Sequence, residues 1–220
     1  MSLLLYGIIA ESVALNLAPE LQLINANGLS AIVQACENEV SREAEPVLAY
    51  GKQILFIHQQ TTLIPVRYGS VLANPAAVIE HLAQNAAAYR SRLSVLEDCE
   101  EMGIRLPLPT EIETAPSNTI SCGHDYLLAR KRAYAVSEAA LQQSELLNTA
   151  LADLYREHCA ELSVFNGQRT YLLSYLVPRC HLATFELRLQ QLNDTLINKG
   201  FISGPWPLYN FACLSEHHDT

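Results

Sequence analysis

The sequence predicts an α+β fold of two domains, each built from a small, mostly antiparallel sheet packed by amphipathic helices. Short apolar or β-branched runs alternate with helical patterns in both halves of the chain, and a proline-rich stretch separates the halves. At 220 residues the chain is long for one compact core and sufficient for two small domains.

The first half begins with a predicted strand. The run Leu3–Ile9 is continuously apolar and too short for a helix, which is typical of a buried central strand. The asparagine-rich stretch at 16–27 is interpreted as a connecting loop. Further strands are predicted at 28–35, 61–72 and 102–106. One helix is predicted to begin at Pro46, and another at Asn74, which is a favourable N-cap before Pro75.

The second of these helices has the clearest periodicity. Its apolar residues are Val78, Leu82, Ala86, Tyr89, Leu93 and Leu96. Steps of three and four residues place them on one face, which must be covered. The order strand, strand, helix, strand, helix, strand then indicates a variant of the ferredoxin-like arrangement.

A boundary between the two halves is predicted near residue 118. Pro107, Pro109 and Pro116 lie among polar residues, as in a linker. We therefore expect an N-terminal domain at 1–118 and a C-terminal domain at 119–220.

The second half begins with a predicted long helix over about 125–161, because this stretch contains neither proline nor glycine. Such a helix would be roughly 50 Å long and would join the two halves. Asn166-Gly167 predicts a hairpin between two strands. A further helix is expected from Leu182, ended by Gly200 as its C-cap, before a final strand.

Charge and hydropathy narrow the class of partner. The net charge is −9, from 14 basic and 23 acidic residues. No stripe of clustered lysine and arginine residues offsets this excess of negative charge. The balance disfavours nucleic acid and anionic membranes as partners. Met1–Ala10 is too short to span a bilayer and lacks a basic flank, so we expect a cytoplasmic protein.

Catalytic and metal sites are not favoured by the residue patterns. The cysteines are Cys36, Cys99, Cys122, Cys159, Cys180 and Cys213. They are scattered without a C-x-x-C pair, which is typical of buried thiols. A zinc site from His158-Cys159 and Cys180-His181 would need adjacent residues to point the same way. Cys122, close to His124, is the most suggestive nucleophile, and a cysteine-dependent hydrolase using Cys122 or Cys159 stays an alternative.

Two segments are candidates for partner binding. The chain's only tryptophan, Trp206, lies between two prolines, and Arg67 lies in an apolar edge strand. Tryptophan and arginine are frequent anchors of interfaces. Trp206 is expected either to dock on the core or to be an exposed anchor, and Arg67 either to pair internally or to contact a partner. The candidate residues are Pro65, Arg67, Tyr68, Gly204, Pro205, Trp206, Pro207 and Tyr209.

The chain resembles the F/L family of gas vesicle accessory proteins. The motifs that carry this resemblance are Leu5-Tyr6-Gly7-Ile8, the run from Pro65 to Val71, the run from Glu101 to Arg105, the run from Tyr126 to Lys131, Tyr175-Leu176-Val177 and, most specifically, the run from Gly204 to Phe211. They occur in the family's order over almost the full length. Tyr68, Ser70, Leu208 and Asn210 depart from the family pattern, so the choice between the F and L subtypes stays open.

The resemblance implies a function without catalysis. It implies two α+β domains with ferredoxin-like elements, no enzymatic activity, no cofactor, and a role in assembling gas vesicles. The implied partners are the major hydrophobic shell protein and other accessory proteins, in the cytoplasm and on the vesicle. A ligand-binding regulatory module is the main alternative, because ferredoxin-like sheets often pair to form small-molecule sites.

Overall fold

The structure is a computed structural model that describes residues 1–11, 14–37, 40–108, 136–196 and 199–213. The chain divides into two compact units. Unit 1 comprises Met1–Glu101, Leu176–Cys180 and Gly204–Thr220, and unit 2 comprises Met102–Tyr175 and His181–Ser203. The predicted boundary between 118 and 119 lies outside the described residues, so the division into domains 1–118 and 119–220 stays a prediction.

The secondary structure confirms the α+β class. In chain order the elements are β1 Ser2–Ala10, β2 Leu21–Ala26, β3 Leu29–Cys36, α1 Ala44–His58, β4 Ile64–Pro65, β5 Val71–Leu72, α2 Pro75–Leu96, β6 Cys99–Pro107, α3 Glu138–Leu151, β7 Glu157–Phe165, β8 Gln168–Pro178, α4 Leu182–Thr195 and β9 Phe201–Trp206. Short 3₁₀ helices occupy Arg179–His181 and Tyr209–Phe211. The finer ferredoxin-like arrangement stays a prediction.

The sheet of unit 1 is organised around β1, as its apolar run predicts. The strand order is β2-β3-β1-β4, and β5 also pairs with β1. All these pairings are antiparallel. A Cβ at Gly7 of β1 would lie 2.7 Å from the Ile64 carbonyl oxygen, so only glycine permits the close approach of β4.

The strand β2 differs from the loop that the asparagine-rich stretch 16–27 predicts. Leu21–Ala26 instead pairs with β3 through the turn Asn27-Gly28. Both turn residues have positive φ, 53° and 73°, as a tight hairpin turn requires. The asparagines obscured the strand pattern, although Asn-Gly is itself a hairpin signal.

Both helices of unit 1 pack on this sheet. Tyr50, Ile54 and Ile57 of α1 join Leu4, Tyr6, Ile9, Leu21, Ile32 and Leu63 in one buried cluster. The helix α2 contacts all five strands, and the six residues of its predicted apolar stripe are its buried residues. It begins as predicted, because the Asn74 side chain accepts a hydrogen bond of 2.9 Å from the Ala77 amide.

The helix predicted over 125–161 is shorter at its C-terminal end. The helix α3 ends at Leu151, and 157–165 form strand β7; residues 125–135 lie outside the described part of the chain. The second sheet has the order β7-β8-β6-β9, and β7 pairs with β8 across the predicted Asn166-Gly167 turn. Pairing with the long strand β8 overrides the helix propensity of this stretch.

Gly200 has a role other than the predicted C-cap. The helix α4 ends at Thr195, and the side chain of Asn193 binds both the amide and the carbonyl of Gly200, at 2.6 and 3.0 Å. A Cβ at Gly200 would lie 2.6 Å from the Ile104 side chain. The glycine therefore serves close packing against β6.

Candidate functional site

The eight predicted partner-binding residues all lie in unit 1, but they differ in exposure. Pro65 is buried in β4, where it pairs with Gly7 of β1 at the sheet edge. Arg67 follows on the surface, and its guanidinium makes no hydrogen bond or ion pair with any described residue. Tyr68 is partly buried, and its hydroxyl donates a hydrogen bond of 2.7 Å to the Ser41 carbonyl. Arg67 is thus the solvent-facing member of a fixed segment.

A tyrosine cluster brings the two predicted segments together. The rings of Tyr6 and Tyr50 stack at 4.4 Å, and Tyr68 meets Tyr50 edge-on at 5.1 Å. Tyr209, from the C-terminal segment, packs against the same core. The Tyr50 hydroxyl lies 2.6 Å from the Val66 carbonyl oxygen and 2.9 Å from that of Leu5. Tyr50 therefore links α1, β1 and the segment that carries Arg67.

Burial keeps the hydroxyl groups of Tyr6, Tyr50 and Tyr209 protonated. Desolvation, followed by the neighbouring tyrosines, raises the pKa of Tyr50 far above its usual range. Burial and the nearby Glu20 raise the pKa of Tyr6 to about 12, and burial raises the pKa of Tyr209 to about 12. Tyr6, Tyr50 and Tyr209 therefore act in the cluster as neutral hydrogen-bonding and packing groups.

The end of the C-terminal segment is anchored in unit 1. The amide and the side-chain nitrogen of Asn210 donate to the two carboxylate oxygens of Glu101, at 2.9 and 2.5 Å. The Phe211 carbonyl accepts a hydrogen bond of 2.5 Å from Arg92 Nε. Leu208 and Phe211 are buried. The sequence alone could not pair Asn210 with Glu101, because 109 residues separate them.

The beginning of the same segment is exposed. Gly204, Pro205 and Trp206 form the end of β9, and Trp206 is 50% exposed. Gly204 has a φ of 119°, which disfavours residues with a side chain, and its bond to Pro205 is cis. Pro207, the next residue, is buried. A large aromatic ring is therefore presented to solvent from a segment held on its C-terminal side.

One partly buried polar cluster in unit 1 has no counterpart in the sequence predictions. His58 Nε2 lies 2.7 Å from Glu100 Oε2, and Arg179 Nε donates to Glu100 Oε1 at 2.9 Å. Arg179 also donates to the His58 carbonyl at 2.9 Å. These contacts tie the end of α1 to the start of β6. No sequence signal marks them, because the partners are up to 121 residues apart.

The residues of the alternative catalytic and metal sites are only partly covered by the described part of the chain. Cys122 and His124 lie outside them. Cys159 lies partly buried on β7, beside His158, whose ring meets Tyr155 edge-on at 5.3 Å. The described residues contain no group of three or more His, Cys, Asp or Glu placed to hold a metal ion. Over the same residues, no helix has the length and hydropathy needed to cross a bilayer.

Comparison with known proteins gives concordant matches in sequence family and in fold. Residues 2–213 match the family described as gas vesicle synthesis protein GvpL/GvpF. The crystal structure of the gas vesicle protein GvpF from Anabaena sp. PCC7120 aligns with a TM-score of 0.70 at 18% identity, covering 100% of this chain and 99% of that one. GvpF from Microcystis aeruginosa aligns with a TM-score of 0.74 at 15% identity, covering 97% and 99%. No match is found among the curated proteins.

Proposed function

The chain belongs to the family of gas vesicle synthesis proteins GvpL/GvpF, and on that premise we propose that it is a non-enzymatic accessory protein in gas vesicle assembly. It acts in the cytoplasm and on the vesicle, where it binds the major shell protein and other accessory proteins. The family match over residues 2–213 is the observation that carries this proposal.

The physical task of such a protein is to cover hydrophobic surface reversibly. A small apolar shell protein exposes such surface before it polymerises, and exposed apolar surface aggregates. A nucleator or chaperone must therefore offer a stable surface with apolar and hydrogen-bonding groups. Arg67, Pro205 and Trp206 suit this task, because they are exposed on segments that the tyrosine cluster and Asn210 hold in place.

The roles of the eight predicted residues divide by exposure. Arg67, Gly204, Pro205 and Trp206 are accessible and contact the partner directly. The buried or partly buried members act by supporting them: Pro65, Tyr68, Pro207 and Tyr209. Trp206 contributes apolar area, and the Arg67 guanidinium binds carboxylates or carbonyl oxygens.

Capture of the shell protein by purified variants tests this assignment. We expect Trp206→Ala and Arg67→Ala each to reduce capture roughly tenfold, with unchanged melting temperatures, as is typical of interface anchors. Arg67→Lys keeps the positive charge but removes the planar guanidinium, so it tests which of the two the partner requires. Ile79→Ala, at an exposed apolar position of α2, is the matched control and should capture like the wild type. Undiminished capture by both alanine variants would overturn the assignment of this surface.

A further inference from the structure

The outer face of α1 carries an apolar surface that the fold itself does not use. Two adjacent rows at four-residue spacing face solvent: Val47, Gly51 and Leu55 in one, and Leu48, Lys52 and Phe56 in the other. Leu48 is 64% exposed and Phe56 is 43% exposed. The core-facing residues of this helix, such as Tyr50 and Ile54, lie on the other side. The helix is therefore apolar on two faces, although only one packs within unit 1.

A groove runs along this face beside Phe56. Its volume is about 490 Å³, and Asn16, Leu17 and Ala18 form the wall opposite α1. This wall is fixed, because Gln60 binds both the amide and the carbonyl of Asn16 through its side chain, at 2.9 and 3.1 Å. Leu17 and Ala18 also pack against the core cluster. The groove is thus preformed, which lowers the entropic cost of binding.

Gly51 favours a helix as the segment that binds to this face of α1. A glycine inside a helix lowers helix stability, and here nothing lies within 4 Å of the Cβ it lacks. No contact within the described chain requires it. Because Gly51 has no side chain, the row of Val47, Gly51 and Leu55 has a gap at its centre. The side chains of a second helix can pack closely into such a gap.

Lys52 favours a negatively charged group on the helix that binds to this face. It lies at the centre of the apolar face, between Leu48 and Phe56, and forms no ion pair with any described residue. In a symmetric pair of this chain crossing at Gly51, the two Lys52 ammonium groups would approach each other. A different helix with a carboxylate at this position would neutralise the charge instead.

We propose that the outer face of α1 and the adjoining groove dock an amphipathic helix of another polypeptide, whose apolar face carries an aspartate or glutamate opposite Lys52. The exposed rows then become a buried helix–helix contact, and the carboxylate pairs with the ammonium group in a largely dehydrated setting. The surface is separate from the residues assigned to shell-protein capture, and the inference adds to the proposed function a second docking surface and the chemical class of its partner.

A synthetic peptide tests the inference directly. The probe is an amphipathic helical peptide with leucines at i, i+3, i+4 and i+7 and one glutamate within that face; a second peptide has lysine in its place. By fluorescence anisotropy with the full chain, we expect the glutamate peptide to bind roughly tenfold more tightly. Lys52→Glu should reverse this preference. Equal binding of both peptides, or of neither, would overturn the proposal.

The variant Gly51→Leu distinguishes an effect on peptide binding from an effect on the stability of the fold. Because leucine is a better helix former than glycine and has open space here, this variant should melt at a higher temperature and yet bind the glutamate peptide roughly tenfold more weakly. Ile79→Glu, on α2, should bind like the wild type. A dimer of the full chain that Leu48→Glu dissociates would instead assign this face to a second copy. The assay contains no gas vesicle shell protein, so its failure leaves the proposed function standing.

Discussion

Tyr50 is the residue on which the candidate surface depends most. One hydroxyl group faces carbonyl oxygens from β1 and from the segment before Arg67, and its ring contacts Tyr6 and Tyr68. The sequence predicts the helix from Pro46 that carries Tyr50. It could not predict the carbonyl partners, because these are set by how the Val66 segment returns along the sheet.

Tyr50→Phe tests this role. The ring keeps its packing, but the buried carbonyls lose their donor, so we expect the free energy of unfolding to fall by about 1–3 kcal/mol. Tyr68→Phe is the matched control, because its hydroxyl binds a carbonyl near the surface and its loss should cost less. Urea denaturation of both variants measures the difference; equal losses would show that Tyr50 has no special linking role.

The raised pKa values of the tyrosines predict a loss of stability in alkali. The pKa of Tyr209 is about 12 in the folded protein, against about 10 in an unfolded chain. Unfolding therefore releases protons above about pH 10, so the stability is complete below that pH and declines as the pH rises towards 12. Tyr209→Phe should show a shallower decline between about pH 10 and 12 in urea denaturation. An unchanged slope would mean that Tyr209 is not buried as described.

At the scale of elements, short-range signals were reliable and long-range pairings were not. The N-cap at Asn74, the stripe of α2 and the hairpin at Asn166-Gly167 all follow from residues close in sequence. The strand β7 could not be predicted from nearby residues, because its conformation is set by pairing with β8. The helix-forming residues at 152–161 favour a helix instead. Trp206 could be placed on a stiff segment, but its exposure depends on distant anchors.

Two glycines with open surroundings should respond to alanine in opposite directions. Gly28 has a φ of 73° in the turn between β2 and β3, whereas Gly51 lies inside α1, and a Cβ at either position meets nothing within 4 Å. Gly28→Ala should destabilise by about 1–2 kcal/mol through backbone strain. Gly51→Ala should stabilise by about 0.5–1 kcal/mol. Thermal or urea unfolding measures both; a shift of the same sign would contradict the described backbone.

At the scale of the whole molecule, the proposed function is binding without catalysis. The family match spans almost the full length, and the described residues assemble hydrogen-bonded and packed anchors around exposed Arg67 and Trp206. Membership of the family could be predicted from motifs in the sequence. The division of those motifs into exposed and supporting residues could not, because it depends on which side of each segment the core covers.

An aggregation assay with the shell protein tests most directly whether this protein acts by covering hydrophobic surface. Light scattering is recorded as the shell protein is diluted from denaturant into increasing amounts of this protein. If it acts by covering hydrophobic surface, aggregation should be suppressed only as the two proteins reach about equimolar amounts, and Trp206→Ala should require more protein. Suppression by a small catalytic fraction, or no suppression by the wild type, would contradict the account.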